Sequence, residues 1–487
     1  MPLISQLADR FKAELVGQII SVISGAILTV ALAHLLNPDG YGLLFLAISV
    51  LGTIKTFSKL GVAKSASRYI AEYKETDSGQ IRHILKFSFV LNLLTIAVVC
   101  FGTLLSYKYI ANLIGESDLV PFLLLGVLFL IFGTLVTFVR TVLQGFEAIK
   151  AGAVLHAVDR GTRLVLALGF VVLGYGAIGA LLGYIIAFAI TAVLGLMYLY
   201  IRHYRSGKRS ERESDLRRRI VEYTIPLTAT GTADVLDKRV DTVIVGFFLG
   251  PIAVAYYTLG RQIVTFIQTP MSALGFTLSP TYESQKAKGN TETAAQLYEQ
   301  ALIHGLAVYI PAAAGLILVA EPLVTLAFGD DYLGAVPILQ VLAVYAVLQS
   351  ITALTSNGLD FLGRARERAI IKGVTSVLNV ILNIILIPRI GVVGAAIATL
   401  ATYSIYTFTN VYIIGLEFDL QTRLILRNVM VILSITSVMS ACVYVVSDYV
   451  TGFITLFAVI GFGTLVWLSL IAFSGVLDFR KIISTLS

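Results

Sequence analysis

Six cationic side chains stand well inside long apolar stretches of this sequence: Lys55, Arg160, Arg163, Lys238, Arg239 and Arg261. A Lys or Arg at the centre of a membrane-spanning helix costs about 2.5 to 3.5 kcal/mol on insertion scales, so each must face a wet cavity or an opposite charge. Guanidinium groups grip phosphate oxygens in pairs, so such a set suits an anionic, phosphate-bearing ligand. No acid on its own stretch accounts for Lys55 or Arg261. Asp159, by contrast, lies one helical turn before Arg163, a spacing that favours an intrahelical pair. Around Arg239 the pattern is mixed. At about 100° per residue, Asp234, Asp237, Lys238 and Asp241 share an arc of roughly 100°, while Arg239 points about 140° away from Asp234. Those three acids can neutralise Lys238, bind a cation or carry a proton, which makes them candidates for coupling to sodium or protons.

Other polar residues have plainer readings. Lys59 and Arg140 fall near span ends and can snorkel. Gln18, Ser21, Ser24, Asn92 and Thr95 can hydrogen-bond sugar hydroxyls, and equally can hold helices together. His34, His156 and His304 lack metal-ligand spacing and read as packing residues. Tyr256 and Tyr257 suit an interfacial aromatic belt. No Walker loop, nucleophile elbow or zinc motif occurs, so neither catalysis, a cofactor nor a metal site is expected.

Elements able to carry buried charge follow from composition. Of 487 residues, 57% are hydrophobic and 13% charged, whereas a soluble domain carries about 25% charged residues. An ordinary soluble globule, a disordered chain, a collagen and a disulfide scaffold are thereby excluded. Cys100 and Cys442 lie in apolar runs and read as small core residues. A span needs about 20 apolar residues, and the apolar windows number about fourteen, beginning near residues 14, 41, 84, 119, 152, 177, 220, 251, 293, 335, 367, 391, 424 and 451. The run from Leu15 to Leu36 exceeds a signal-peptide core and reads as a permanent span.

The cations set the orientation, because cytoplasmic loops collect Lys and Arg. Alternate loops hold Arg10 and Lys12, Lys64 to Lys86, Lys150, the run Arg202 to Arg219, Lys286 and Lys288, Arg364 to Lys372, Arg423 and Arg427, and Arg480 and Lys481; the opposite loops hold Lys108 and Arg389. Both termini are therefore expected in the cytoplasm, with the chain in the plasma membrane. The net charge of +7 reflects these loops and calls for no nucleic acid partner.

The halves repeat. LLNPDGYG from Leu35 matches FLGPIAVA from Phe248; the acidic loop and proline after Ile110 match those after Leu323; GYGAIGALLGY from Gly174 matches PRIGVVGAAIA from Pro388. The order and offset are kept. The expected plan is an all-α polytopic membrane protein: an N-terminal lobe over 1–201, a basic cytoplasmic linker over 202–219, a C-terminal lobe over 220–416, and two appended helices over 417–487. Two six-helix lobes with pseudo-two-fold symmetry form a transporter plan, with substrate between them near the midplane. A non-transporting scaffold remains an alternative.

The segment LNIILIPRIGVVGAAIAT from Leu382, the run AFGDDYLGAVPILQVLAVY from Ala327 and the hairpin DTVIVGFFLGPIAVAYY from Asp241 resemble the polysaccharide-transport branch of the multidrug, oligosaccharidyl-lipid and polysaccharide exporter superfamily. The resemblance implies a flippase that moves a polyprenyl (di)phosphate-linked oligosaccharide from the cytoplasmic to the outer leaflet by alternating access. It also implies membrane lipids and glycan-pathway enzymes as partners, action as a monomer, and in some members a lipid-tail groove on the last two helices. Ser434, Thr436, Ser437 and Ser440 are a departure from a purely apolar groove. The alternative within the superfamily, a cation-coupled multidrug exporter, calls for an acid in the first span; none occurs between Leu15 and Leu36, and central cations would repel cationic cargo. A polymerase-like enzyme would need a large outer loop, and none is present.

Overall fold

The computed structural model describes residues 2–205, 210–211 and 213–476, and the side chains of all of these except 2–21, 226, 229–238, 269, 273, 276–277, 280 and 283. Every regular element among them is helical. By contacts the chain divides into two compact units, Met1–Ala255 and Tyr256–Ser487, with the boundary one helix beyond the basic linker.

The first unit opens with α1 (Pro2–Lys59), which is broken at Asn37, where φ is 56°. Pro38 explains the break: proline removes a donor and bars the preceding residue from helical backbone, and Asn tolerates positive φ better than most. After Gly61, with φ of 65°, comes α2 (Val62–Thr76). It is short and two-faced, burying Val62, Ala66, Tyr69, Ile70 and Tyr73 and presenting Lys64, Arg68 and Glu72 on the other side. Its charges alone read as a cytoplasmic loop, so this helix corrects the sequence expectation. Four helices follow: α3 (Ile81–Ile114), α4 (Leu119–Gly145), α5 (Ile149–Phe170) and α6 (Gly176–Leu199). The last two are joined through a wide turn at Gly174, whose φ is 90°. α7 (Leu216–Leu249) packs on α1, α2 and α3, and the first turn of α8 (Pro251–Ala287) closes the unit.

Turns from the two repeats meet within this unit. A Cβ on Gly42 would stand 1.8 Å from the Pro251 carbonyl oxygen and 3.2 Å from the Ala255 nitrogen, so only glycine lets the two turns approach this closely.

The described end of the basic linker is fixed to α2 and the turn after it. Gln80 donates to the Glu211 carbonyl at 2.7 Å and accepts from the Glu213 N–H at 3.2 Å. Tyr73 donates to the Glu213 carboxylate, and Arg219 donates to the Tyr73 oxygen at 2.9 Å and to Glu72 at 3.0 Å. Burial pushes the Tyr73 phenol above its ordinary value, and the bond to Glu213 pushes the same way.

The second unit takes the rest of α8, then α9 (Thr291–Leu318), the short α10 (Ala320–Phe328), α11 (Val336–Phe361), α12 (Ala365–Ile390), α13 (Val392–Glu417), α14 (Thr422–Ser447) and α15 (Phe453–Ser474). α13 packs on α11 and α12, while α9 carries α11 on one side and α14 on another. Threonine and asparagine hold the bundle: Thr352 bonds Thr407 at 2.7 Å, Tyr298 bonds Thr355 at 2.9 Å, and Asn383 donates to Asn379 at 3.0 Å. Tyr257 is not a belt residue. It is fully buried and bonds Thr399 at 3.2 Å, a core position that its neighbour Tyr256 does not share.

Among the described residues, ten helical stretches are long and apolar enough to cross a membrane. Two of them, Val22–Lys59 and Ile149–Arg205, each contain a break at Asn37 or Gly174 and so supply a pair. With α7 and α8, whose mixed composition hides them from a hydropathy measure, the spans number about fourteen, as the apolar windows implied.

Candidate functional site

Cations gather in the first unit around one buried carboxylate. Asp159, on α5, is 3% exposed. One turn on, the Arg163 guanidinium donates to both of its oxygens at 2.7 and 2.6 Å, which realises the pair expected from spacing. Arg163 is held sideways as well, 4.9 Å from the Tyr184 ring and 4.8 Å from the Phe188 ring, both on α6.

Lys55 reaches the same aromatic seat from α1. Its ammonium lies 5.1 Å from the Phe188 ring and 5.5 Å from that of Phe129 on α4. Phe188 thus serves two cations at once, and each draws on the negative face of a ring that water does not screen. Gly133 makes the room: a Cβ there would stand 3.0 Å from the Lys55 nitrogen and 3.3 Å from Phe188. The charges acting on Lys55 are Lys59, Arg239 and Arg163, opposed by Asp159. Its counter-charge therefore comes from another helix.

Arg239 enters from α7. Its guanidinium lies over Gly52, where a Cβ would stand 2.3 Å from Nη1, and Nη1 donates to the Ile48 carbonyl at 3.2 Å. Arg160 sits beside Arg163, Asp159 and Arg140, and its Nε is buried with no hydrogen-bond partner among the described residues. His156 shares this surrounding of Arg140, Arg160, Asp159 and Arg163, with its Nδ1 likewise buried and unbonded.

Lys55, Arg160, Arg163 and Arg239 are thus brought together in the first unit. Arg261 lies in the second, 5.8 Å from the Tyr257 ring. The side chains of Lys238, Asp234 and Asp237 lie outside the described residues, as do those of Gln18 and Ser21. Asp241 is 1% exposed. Thr95 bonds the Ser58 carbonyl at 2.8 Å, joining α3 to α1. Sequence reading overlooked the seats: Phe129, Phe188 and Tyr184 beneath the cations, and Gly52 and Gly133 beside them. A glycine inside an apolar span, where it weakens the helix, was the available signal.

Among the described residues these four cations outnumber the two buried carboxylates of the same helices, Asp159 on α5 and Asp241 on α7. Such a site attracts an anion and, through Arg, can take its oxygens in pairs. Among the described residues no group of three His, Cys, Asp or Glu is placed to hold a metal ion.

The family model described as "Polysaccharide biosynthesis protein" matches residues 12–284, and a second, MatE, matches residues 235–385. The lipopolysaccharide biosynthesis protein WzxC of Escherichia coli is 24% identical over 417 residues, 82% of this chain and 79% of its own. The "Probable low-salt glycan biosynthesis flippase Agl15" of Haloferax volcanii is 26% identical over 172 residues, 35% of this chain and 36% of its own. Among solved structures, the lipid II flippase MurJ in an inward closed conformation superposes with a TM-score of 0.78 at 18% identity, over 96% of this chain and 99% of that one, and shares the fold.

Proposed function

The chain belongs to the polysaccharide biosynthesis protein family, within the multidrug, oligosaccharidyl-lipid and polysaccharide exporter superfamily, and from that premise we propose that it is a flippase for a lipid-linked glycan. The cargo is a polyprenyl (di)phosphate-linked oligosaccharide, carried from the cytoplasmic to the outer leaflet for surface polysaccharide or glycoprotein assembly. The observation that carries this reading is the set Lys55, Arg160, Arg163 and Arg239 gathered about Asp159 inside spanning helices. A neutral or cationic cargo gives no return for the cost of burying four cations, whereas a diphosphate does.

In this account the cations of the first unit take the phosphate while the sugar is drawn through a wet interior by alternating access, and Arg261 of the second unit is a further candidate cation. Arg163 is partly neutralised by Asp159, so Lys55, Arg160 and Arg239 are the cations assigned to the phosphate. Both termini face the cytoplasm of a cell membrane, as the loop cations favour, and the protein acts as a monomer. The match of MatE to residues 235–385 favours one second reading, an ion-coupled exporter, in which the buried Asp241, with Asp234 and Asp237, would hold the coupling ion.

The test is complementation of a strain lacking this protein. Arg160→Ala and Arg261→Ala should each abolish surface glycan while the protein remains in the membrane at normal level. Full complementation by both ends the cationic-site account. Asp234→Asn or Asp237→Asn should make flipping insensitive to sodium or pH if an ion drives it, and unchanged dependence removes those acids from that role.

A further inference from the structure

A second site lies on the other unit, away from the residues above. α9 and α14, with the end of α15 and the two residues after it, line an open cavity of about 250 Å³. Its floor is apolar, with Ile303 and Val431 belonging to the surrounding core. Its rim is polar: Gln300 and His304 from α9, Arg427 and Asn428 from α14, and Ser474 at the end of α15. The cavity is smaller than the roughly 300 to 1,000 Å³ typical of ligand pockets, too small for an oligosaccharide and right for a headgroup.

The charge balance favours an anion. Leu424, in the first turn of α14, lines the cavity beside the positive end of that helix, and Ser474 brings the negative end of α15. These partial charges offset each other and leave the full charge of Arg427. Among the described residues no carboxylate pairs with Arg427. Glu299, beside Gln300, is committed elsewhere: it is buried and accepts the Gln421 N–H that starts α14. Asn428 spends its amide on the Leu424 carbonyl at 3.0 Å, which leaves its oxygen to orient a hydroxyl.

The surroundings are those of a lipid. Leu426 and Met430, on the face of α14 away from the cavity, and Phe473 on α15 are 62%, 58% and 91% exposed, a surface that acyl chains cover in a membrane. Arg423 and Arg427 place the opening at the cation-rich end of the bundle, at headgroup level.

We propose that this cavity binds the phosphate headgroup of an anionic membrane lipid, with Arg427 and His304 on the phosphate, Gln300 and Asn428 on the headgroup hydroxyls, and the acyl chains along α14 and α15. The proposal requires only that the chain be embedded in a bilayer and does not depend on what the protein transports.

Trp467 is the one tryptophan of the chain, half-buried against the same core and two helical turns, about 10 Å, from Ser474. The full-length protein is reconstituted in phosphatidylcholine vesicles, and Trp467 fluorescence is quenched by brominated phosphatidylglycerol or brominated phosphatidylcholine at matched mole fractions. One well-placed cation gives about a fivefold preference for the anionic lipid. Wild type should show it, Arg427→Ala should reduce it to parity, Arg427→Lys should keep much of it, and Arg423→Ala, one turn away and outside the lining, should retain it. Equal quenching by both lipids in wild type overturns the site. Equal loss in Arg427→Ala and Arg423→Ala overturns it too, by assigning the preference to diffuse surface charge. Soluble glycerol 3-phosphate at constant ionic strength should not relieve quenching by the anionic lipid; relief at millimolar concentration overturns the lipid as source. No arm involves glycan movement, so a negative result leaves the flippase reading untouched, and loss of that reading leaves this one standing.

Discussion

Substituting Gly52 by Ala perturbs the proposed phosphate site without altering any charge. The added Cβ would stand 2.3 Å from Nη1, 2.5 Å from Cζ and 2.7 Å from Nε of Arg239, so the guanidinium must leave its place. It is the far end of a flexible side chain and can move, which keeps the protein folded. The cost includes its bond to the Ile48 carbonyl at 3.2 Å. A hydrogen bond to a charged group contributes about 1.5 to 3 kcal/mol. Exchanging Gly for Ala inside a helix returns about 1 kcal/mol, so the net loss of stability is about 0.5 to 2 kcal/mol. If Arg239 spends a similar 1.5 to 3 kcal/mol on phosphate, displacing it slows flipping roughly ten- to a hundredfold. The assay is surface glycan restored to a strain lacking the protein, per mole of protein in the membrane, with thermal unfolding in detergent run beside it. Gly102→Ala on α3, where a Cβ meets nothing within 4 Å, is the control and should transport normally. Wild-type flipping by Gly52→Ala, with the small stability loss present, refutes the role given to Arg239.

Asp159→Asn strips Arg163 of its buried partner and should destabilise by about 3 to 5 kcal/mol, read as a lower unfolding midpoint; removing Arg163 as well should recover some of that stability without restoring transport. Tyr73→Phe removes the hydroxyl between Glu213 and Arg219, and should cost about 1 kcal/mol and loosen the linker, seen as faster proteolysis within residues 202–219. Gly42→Val drives a side chain into the Pro251 carbonyl, a backbone group that cannot swing aside, and should cost about 3 kcal/mol or more, read as loss of the monodisperse peak in size exclusion.

Much of the helical plan was legible because spans are written in long apolar runs. The Asp159 and Arg163 pair was legible for a local reason, since one turn of helix fixes the spacing. What depended on contacts between helices was not. Lys55 has no acid within two turns on its own helix, and its neighbours Asp159, Phe129 and Phe188 come from three others. α2 escaped because its charged face resembles a cytoplasmic loop, although its Val62, Ala66, Tyr69 and Tyr73 spacing is that of an amphipathic helix. Tyr257 reads as interfacial from its place near a turn, but a tyrosine with its hydroxyl on Thr399 is equally at home in a core.

The most direct test of the central claim is the leaflet in which the lipid-linked glycan resides. Spheroplasts of cells depleted of this protein are treated with periodate, which oxidises exposed sugar diols and does not cross the membrane, and the lipid-linked glycan is then extracted and analysed. The account predicts that the glycan accumulates unoxidised, held in the inner leaflet, and becomes susceptible when wild-type protein is restored and not when Arg160→Ala is. Glycan that stays as accessible to periodate in depleted cells as in wild type would contradict it.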